Sequence, residues 1–106
     1  MNTLKKEKVY SVEDIYALPD GERAELINGQ LCYMAPPNRV HQKISMSLSH
    51  EISEYIQKSN GECEVYAAPF AVFINQDNLN YVEPDISVIC DVSKLDDKGC
   101  HGAPDW

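Results

Sequence analysis

The amino-acid sequence predicts an α/β fold, a mixed sheet flanked by helices, on three observations. Apolar residues recur at helical spacing from Val40 to Ile56, which indicates one long amphipathic helix. The pair Asn28-Gly29 separates two short apolar runs, a strong local signal for a tight β-hairpin. The segment 81–90 contains Ile86-Ser87-Val88-Ile89, a short run rich in β-branched residues that is typical of a buried strand.

Length and composition predict one small domain, or part of one. The chain has 106 residues, 43% hydrophobic and 25% charged, so it can hold a single but marginal core. No apolar run is long enough to cross a bilayer and no apolar segment follows the N-terminal lysines. We therefore expect a cytoplasmic protein with no membrane partner.

The net charge of −8 argues against a general, sequence-independent affinity for nucleic acid, which depends on neutralising phosphates. It does not exclude a nucleic-acid enzyme, because carboxylates that hold a divalent metal make a site acidic until the ion binds.

Four widely spaced cysteines, with no C-x-x-C pair, predict neither a zinc site nor a disulfide framework: Cys32, Cys63, Cys90 and Cys100. Cys32 and Cys90 lie in apolar strand patterns and are expected to be small buried hydrophobic residues. Cys100 precedes a histidine in a polar stretch, where a metal role is not expected.

The N-terminal third predicts a short helix and then the hairpin. Ser11 and Asp14 have the spacing of a capping box, which predicts a helix to about Leu18 that Pro19-Asp20-Gly21 ends. The hairpin turn at Asn28-Gly29 should be type I′, because that turn needs positive φ at both central residues.

The long helix should begin after Asn38 as N-cap and stop at Asn60-Gly61. Its apolar face includes Val40, Ile44 and Leu48. The opposite face carries polar residues, namely Gln42, Ser45, Ser49 and Lys58. His41 lies in the first turn, where free backbone N–H groups can hold a phosphate; the alternative is a solvated histidine.

Strands are predicted again between Glu62 and Ile74, with Pro69 at a bulge or a sheet edge. Residues 75–80 form a polar turn. Residues 91–106 have the composition of a loop without periodicity.

Asp85 lies where regular pairing of the 86–90 strand should begin, because Pro84 lacks a backbone N–H and suits the first position of a strand or a bulge. A strand fixes the direction of the side chain, so this is a suitable position for a metal-binding carboxylate. The alternative is that Asp85 only interrupts the sheet edge or caps a turn.

The order of the segments is distinctive: a helix, a hairpin with Glu-Leu-Ile-Asn-Gly, a histidine at the start of a long amphipathic helix, a strand pair and Val-Glu-Pro-Asp-Ile-Ser-Val. From Tyr10 to Trp106 this order resembles the Uma-type restriction endonuclease family of the PD-(D/E)XK nuclease superfamily. The resemblance implies a restriction-endonuclease-like fold and Mg²⁺-dependent hydrolysis of DNA phosphodiester bonds.

The resemblance also implies three site residues. Asp85 matches the aspartate of the Pro-Asp motif and would bind Mg²⁺ or Mn²⁺. Glu25 matches the glutamate that opens the first hairpin strand and would be a second acidic ligand. His41 matches a histidine common at the start of the long helix. In such a site the ion polarises the scissile phosphate and lowers the pKa of the attacking water.

In the family, Gly-Ala-Pro-Asp is followed by a strand that bears a second motif acid, and a lysine comes later. Here the same four residues are followed by Trp106, so the resemblance implies a partial domain over residues 1–106, with 91–106 a loop leading to a missing strand. We therefore expect weak metal binding, no turnover, and an unpaired edge on the 86–90 strand that favours homo-oligomers or poor folding.

Two other interpretations remain open. The chain could be a non-catalytic remnant or a protein-interaction module of the same fold. It could also be an α/β domain whose acidic residues are surface residues without a role in chemistry.

Overall fold

The computed structural model describes residues 8–75 and 77–106. The described elements, in chain order, are α1 (Val12–Tyr16), β1 (Ala24–Ile27), β2 (Gln30–Tyr33), α2 (Arg39–Lys58), β3 (Glu64–Ala67), β4 (Val72–Phe73), β5 (Ile86–Ile89), a 3₁₀ turn (Val92–Lys94), β6 (Leu95–Asp96) and β7 (Gly99–His101). This mixture of helices and small sheets confirms the α/β class. No described helix combines the length and the apolarity that a bilayer span requires. The N-terminal lysines that bear on a leader segment, Lys5 and Lys6, lie outside the described residues.

The first helix and the hairpin form as their local sequences predict. The backbone N–H of Ser11 donates to Asp14 Oδ2 at 2.8 Å, which satisfies one of the free donors at the start of α1. Asn28 and Gly29 have φ values of 48° and 80°, so the β1–β2 turn has the two positive φ angles of type I′. Strands β1 and β2 pair antiparallel around it.

A series of hydrogen bonds connects this hairpin to the segment that precedes β5. Asn28 N donates to Asn80 Oδ1 at 3.0 Å, and Asn80 Nδ2 in turn donates to the carboxylate of Asp77. The backbone N–H of Leu79 also donates to Asp77 at 2.9 Å, and these bonds lower the pKa of the Asp77 carboxyl. The turn of the hairpin is therefore held by tertiary contacts as well as by its own φ angles.

Single bridges join the hairpin to the small C-terminal sheet. Leu26 of β1 bridges Tyr81, the next residue Val82 bridges Val72 of β4, and β4 pairs parallel with β7, which pairs antiparallel with β6. Two apolar clusters lie along these connected strands. One consists of Val12, Ile15, Ala24, Leu26, Phe73 and Tyr81, and the other of Val72, Ile89 and Cys100.

Strand β5 begins directly after Asp85, as predicted, and pairs antiparallel with β3. Its other edge is not free, which corrects the expectation of an unpaired edge there. Val88 N donates to Trp106 O at 2.7 Å and Asp105 N donates to Val88 O at 2.9 Å. Because the N–H and C=O of one strand residue point to the same side, residues 105–106 occupy the edge of β5 opposite β3.

The stretch expected to be a loop, residues 91–106, also contains regular structure: the 3₁₀ turn, β6 and β7. Its apolar anchor is Cys100, which is fully buried between β4 and β6. These strands are only two and three residues long, too short to show a period of two in the sequence.

Helix α2 has the predicted ends. Ile52 and Ile56 of its predicted apolar face are turned towards the protein, but the first half of that face is not. Asn38 Oδ1 accepts from His41 N at 2.8 Å and Asn60 has φ 54°, in agreement with the predicted cap and stop. The half-buried residues of α2, here called the inner face, are Ser45, Ser49, Ile52, Ser53 and Ile56. Val40, Ile44 and Leu48 are instead exposed, so the serines predicted to face solvent face the protein.

The cysteine prediction is wrong for one pair. Cys63 and Cys90 form a disulfide, with a sequence separation of 27. They follow in register from the Glu64–Ile89 pair at the end of the β3–β5 ladder, and antiparallel pairing brings together residues that are far apart in sequence. Cys32 is exposed and free rather than buried.

Candidate functional site

A cleft of about 650 Å³ opens between the first turns of α2, the chain that leaves β2, and the end of β3. Apolar and polar side chains share its lining. The lining residues are Arg23, Met34, Ala35, Pro36, Pro37, Asn38, His41, Gln42, Ser45, Met46, Ser49, Ala67, Ala68 and Asp85. The volume lies within the range that is usual for ligand-binding clefts in proteins.

Asp85 lies on the wall of this cleft, at the point where β5 begins. Its backbone C=O accepts from Ala68 N at 2.9 Å, which extends the β3–β5 ladder and fixes the main chain at that position. The carboxylate remains exposed, with 68% of the side chain accessible. A fixed backbone with an accessible carboxylate is the arrangement that a metal ligand or a proton acceptor requires.

His41 lies across the cleft from Asp85, with His41 Nε2 3.1 Å from Asp85 Oδ2. The cap on Asn38 sets this position, because it orients the first turn of α2 and hence the side chain of its third residue. Two of the three residues predicted for the site are therefore in direct contact, although 44 positions separate them in the sequence.

Glu25 lies beside the cleft rather than on its described lining. Glu25 Oε2 accepts from the backbone N–H of Glu83 at 3.0 Å, two residues before Asp85. This bond joins β1 to the segment that carries Asp85. Whether the carboxylates of Glu25 and Asp85 converge on one ion stays a prediction.

An ion pair that the sequence analysis did not identify lies at the same place. Arg23 Nη2 and Nε are both 2.8 Å from Glu83 Oε1, and only 10% of the Glu83 side chain is exposed. Tyr81 Oη donates to Glu83 Oε2 at 3.0 Å; burial, followed by the nearby carboxylate, raises the pKa of the Tyr81 phenol. The negative charge of Glu83 is thus already matched by Arg23, which leaves Asp85 as the accessible acid of the cleft.

The fit of a divalent ion is partial. Carboxylate oxygens are the ligands that Mg²⁺ prefers, and Asp85 offers two of them at the cleft. Within residues 8–75 and 77–106, however, no three side chains from Asp, Glu, His and Cys come together in a group that could hold an ion. The described residues therefore do not form a complete metal site.

Sequence reasoning also missed Gln42 and the inner-face residues Ser45 and Ser49, which line the cleft. The Ser49 hydroxyl is buried and has no hydrogen-bond partner among the described residues. The signal available in the sequence was the row of polar residues along α2, which continues from the first turn of the helix, where His41 lies.

The fold and the cleft together define a class: an α/β domain with an accessible aspartate at the start of a paired strand, facing a helix N-terminus. Comparison with known families is consistent with this class. A family model, Uma2, described as "Putative restriction endonuclease", matches residues 12–106. Because the match spans most of the chain, the chain belongs to the Uma2 family. No curated protein matches the chain.

Proposed function

We propose that this chain is an endonuclease-type domain with DNA as its substrate class, and that Asp85 is its principal metal-binding residue. The observation that carries the proposal is the accessible Asp85 carboxylate on the wall of a 650 Å³ cleft, 3.1 Å from His41. Membership of the Uma2 family supports a restriction-endonuclease-like fold and a divalent ion, Mg²⁺ or Mn²⁺, as the cofactor.

In this proposal the chain's own residues have distinct roles. Asp85 contributes a ligand to the ion, and Glu25 is the second acid, held beside it by the backbone of Glu83. His41 holds the Asp85 carboxylate in position and is the group nearest to it that can exchange a proton. Arg23 neutralises Glu83, which limits the repulsion that several acids at one place would otherwise cause.

We further propose that the residues the structure describes do not by themselves complete the hydrolytic site. Mg²⁺ takes about six oxygen ligands and usually gains affinity from additional carboxylates or substrate phosphates. Of the carboxylates near the cleft, Glu83 is paired with Arg23 and Glu25 accepts from a backbone N–H, so the described residues leave Asp85 as the accessible one. We expect Mn²⁺ and Mg²⁺ to bind in the millimolar range and the chain to show no turnover.

Two measurements on three proteins test this proposal: the wild type, Asp85→Asn, and the control Asp20→Asn, which changes an exposed acid of the turn after α1. The first measurement is Mn²⁺ affinity from the water-proton relaxation rate. We expect Asp85→Asn to weaken binding about tenfold or more and Asp20→Asn to leave it unchanged. Equal affinity in the wild type and Asp85→Asn would contradict the metal role of Asp85.

The second measurement is nicking of supercoiled plasmid in millimolar Mg²⁺. We expect the wild type to show no more nicking than Asp85→Asn. Mg²⁺-dependent nicking that Asp85→Asn abolishes would show that this chain completes its site, and the proposal of an incomplete site would be wrong.

A further inference from the structure

One side of α2 presents apolar residues to solvent. Over 20 residues this helix has no buried side chain, and four apolar residues project within an arc of about 80° on a regular helix. We call these four residues the outer face: Val40, Ile44, Leu48 and Tyr55. Their exposed fractions are 56%, 53%, 42% and 73%, high for side chains at helical spacing.

The described part of the chain does not cover the outer face. Helix α2 packs against β3, and Ser53, Ile56 and Gln57 of α2 line a hollow together with residues 63–66. Along the first turns, the inner-face serines line the cleft. The outer face lies on a different side of the helix from both surfaces. Single exposed apolar residues are ordinary, but four of them aligned over about four turns are typical of an interaction surface.

The charges along the outer face are arranged in a self-complementary way. Lys43 lies in the N-terminal half of α2 and Glu54 in the C-terminal half, whereas Glu51 projects between Leu48 and Tyr55 within the outer face itself. Lys43 and Glu54 are eleven residues apart, which is close to three full turns, so both lie on the same margin of the outer face. Leu48 is near the midpoint between them.

We propose that the outer face of α2 binds the outer face of a second copy of this chain, with the two helices antiparallel about a two-fold axis near Leu48. A two-fold interface uses the same patch on both copies, so the patch must complement itself. The antiparallel arrangement places Lys43 of each copy opposite Glu54 of the other. A parallel two-fold arrangement would put Lys43 of the two copies at the same level on opposite margins and would form neither Lys43–Glu54 pair.

The size of the outer face sets the expected strength. A helix of this length is about 30 Å long and about 10 Å wide, so one face covers roughly 300 Å². A standard stable interface buries about 800 Å² on each partner. The dimer should therefore be weak, with a Kd in the micromolar range or above, and the monomer–dimer equilibrium should vary with protein concentration.

Sedimentation velocity over a wide concentration range tests the surface. All proteins carry Cys32→Ser, which removes the exposed free thiol without a reductant that would open the Cys63–Cys90 disulfide. We expect a concentration-dependent dimer that Leu48→Gln weakens at least tenfold. The control is Met46→Gln, because Met46 is 74% exposed on another side of α2 and should leave the dimer unchanged.

Charge exchange tests the orientation. We expect Lys43→Glu and Glu54→Lys each to weaken the dimer about threefold to tenfold, and the double variant to restore it, since both opposed pairs are then re-formed. Circular dichroism establishes that each variant keeps its helix; this matters for Glu54, which also contacts Lys58 at 2.7 Å.

A wild type that stays monomeric at every concentration would overturn the proposal and leave the outer face to a different partner. A dimer that Leu48→Gln does not weaken would place the interface elsewhere. A double variant that is not restored would refute the antiparallel arrangement. None of these variants alters Asp85, Glu25 or His41, so their results are independent of the proposed endonuclease function.

Discussion

Removing the disulfide between Cys63 and Cys90 should lower the stability of the domain substantially. The bond closes a loop with a sequence separation of 27, and it fastens β3 to β5, the strand that begins at Asp85. The variant is Cys63→Ser/Cys90→Ser. Serine has nearly the same size as cysteine and both positions are at least partly accessible, so loss of the cross-link is the main physical change.

The magnitude follows from the length of the loop. Closing a loop of this size removes about 12 cal/mol/K of entropy from the unfolded chain, which corresponds to about 3.5 kcal/mol at 25 °C. A domain of this size usually has a total stability of 5 to 15 kcal/mol, so the loss is a large fraction. In thermal unfolding it corresponds to a decrease in Tm of about 15 °C.

Urea unfolding monitored by circular dichroism, without reductant, measures the difference in free energy of unfolding. The control is Cys32→Ser, which removes an exposed free thiol and should change stability little. Wild type treated with a dithiol should match the double variant. Thiol titration of the denatured, unreduced wild type should find two free thiols, Cys32 and Cys100. Four free thiols, or equal stability of wild type and double variant, would refute the reasoning.

Three further predictions concern packing, charge and pH. Gly99→Ala should lower the free energy of unfolding by at least about 2 kcal/mol more than Gly21→Ala. Both glycines have positive φ, but only at Gly99 would the new Cβ lie 2.2 Å from Ala71 O. Similar losses for the two variants in urea unfolding would contradict this. Arg23→Ala should lower the free energy of unfolding by about 3 kcal/mol, because it leaves the largely buried Glu83 carboxylate unpaired. Arg23→Lys should recover part of this loss in the same assay. No loss in Arg23→Ala would mean that the ion pair contributes little to stability. Because hydrogen bonds lower the pKa of Asp77 in the folded state, its contribution to stability is present above the ordinary value of 3.8 and lost as the pH falls below it. Asp77→Asn should therefore flatten the fall of the urea midpoint below about pH 4; a profile parallel to that of the wild type would exclude this role.

The sequence alone determined the elements whose signals are local. The capping box at Ser11, the type I′ turn at Asn28-Gly29, the N-cap at Asn38 and the strand that begins after Asp85 are all where the sequence predicts them. Each depends on backbone groups within a few residues, so neighbouring side chains suffice to specify it. The candidate site residues Asp85 and His41 could be named because each stands at the start of an element with a clear local signature, and because the order of the motifs resembles the Uma-type family.

Only the tertiary structure decided which faces and partners these elements acquire. The apolar period of α2 predicts a helix, but packing against β3 turned its serines inward and left Val40, Ile44 and Leu48 exposed. Strand pairing brought Cys63 to Cys90, placed Arg23 against Glu83, and put Trp106 on the edge of β5 that was expected to be free. These contacts join residues distant in sequence, and their free energy comes from burial and pairing that exist only once the chain has folded, so no local pattern specifies them.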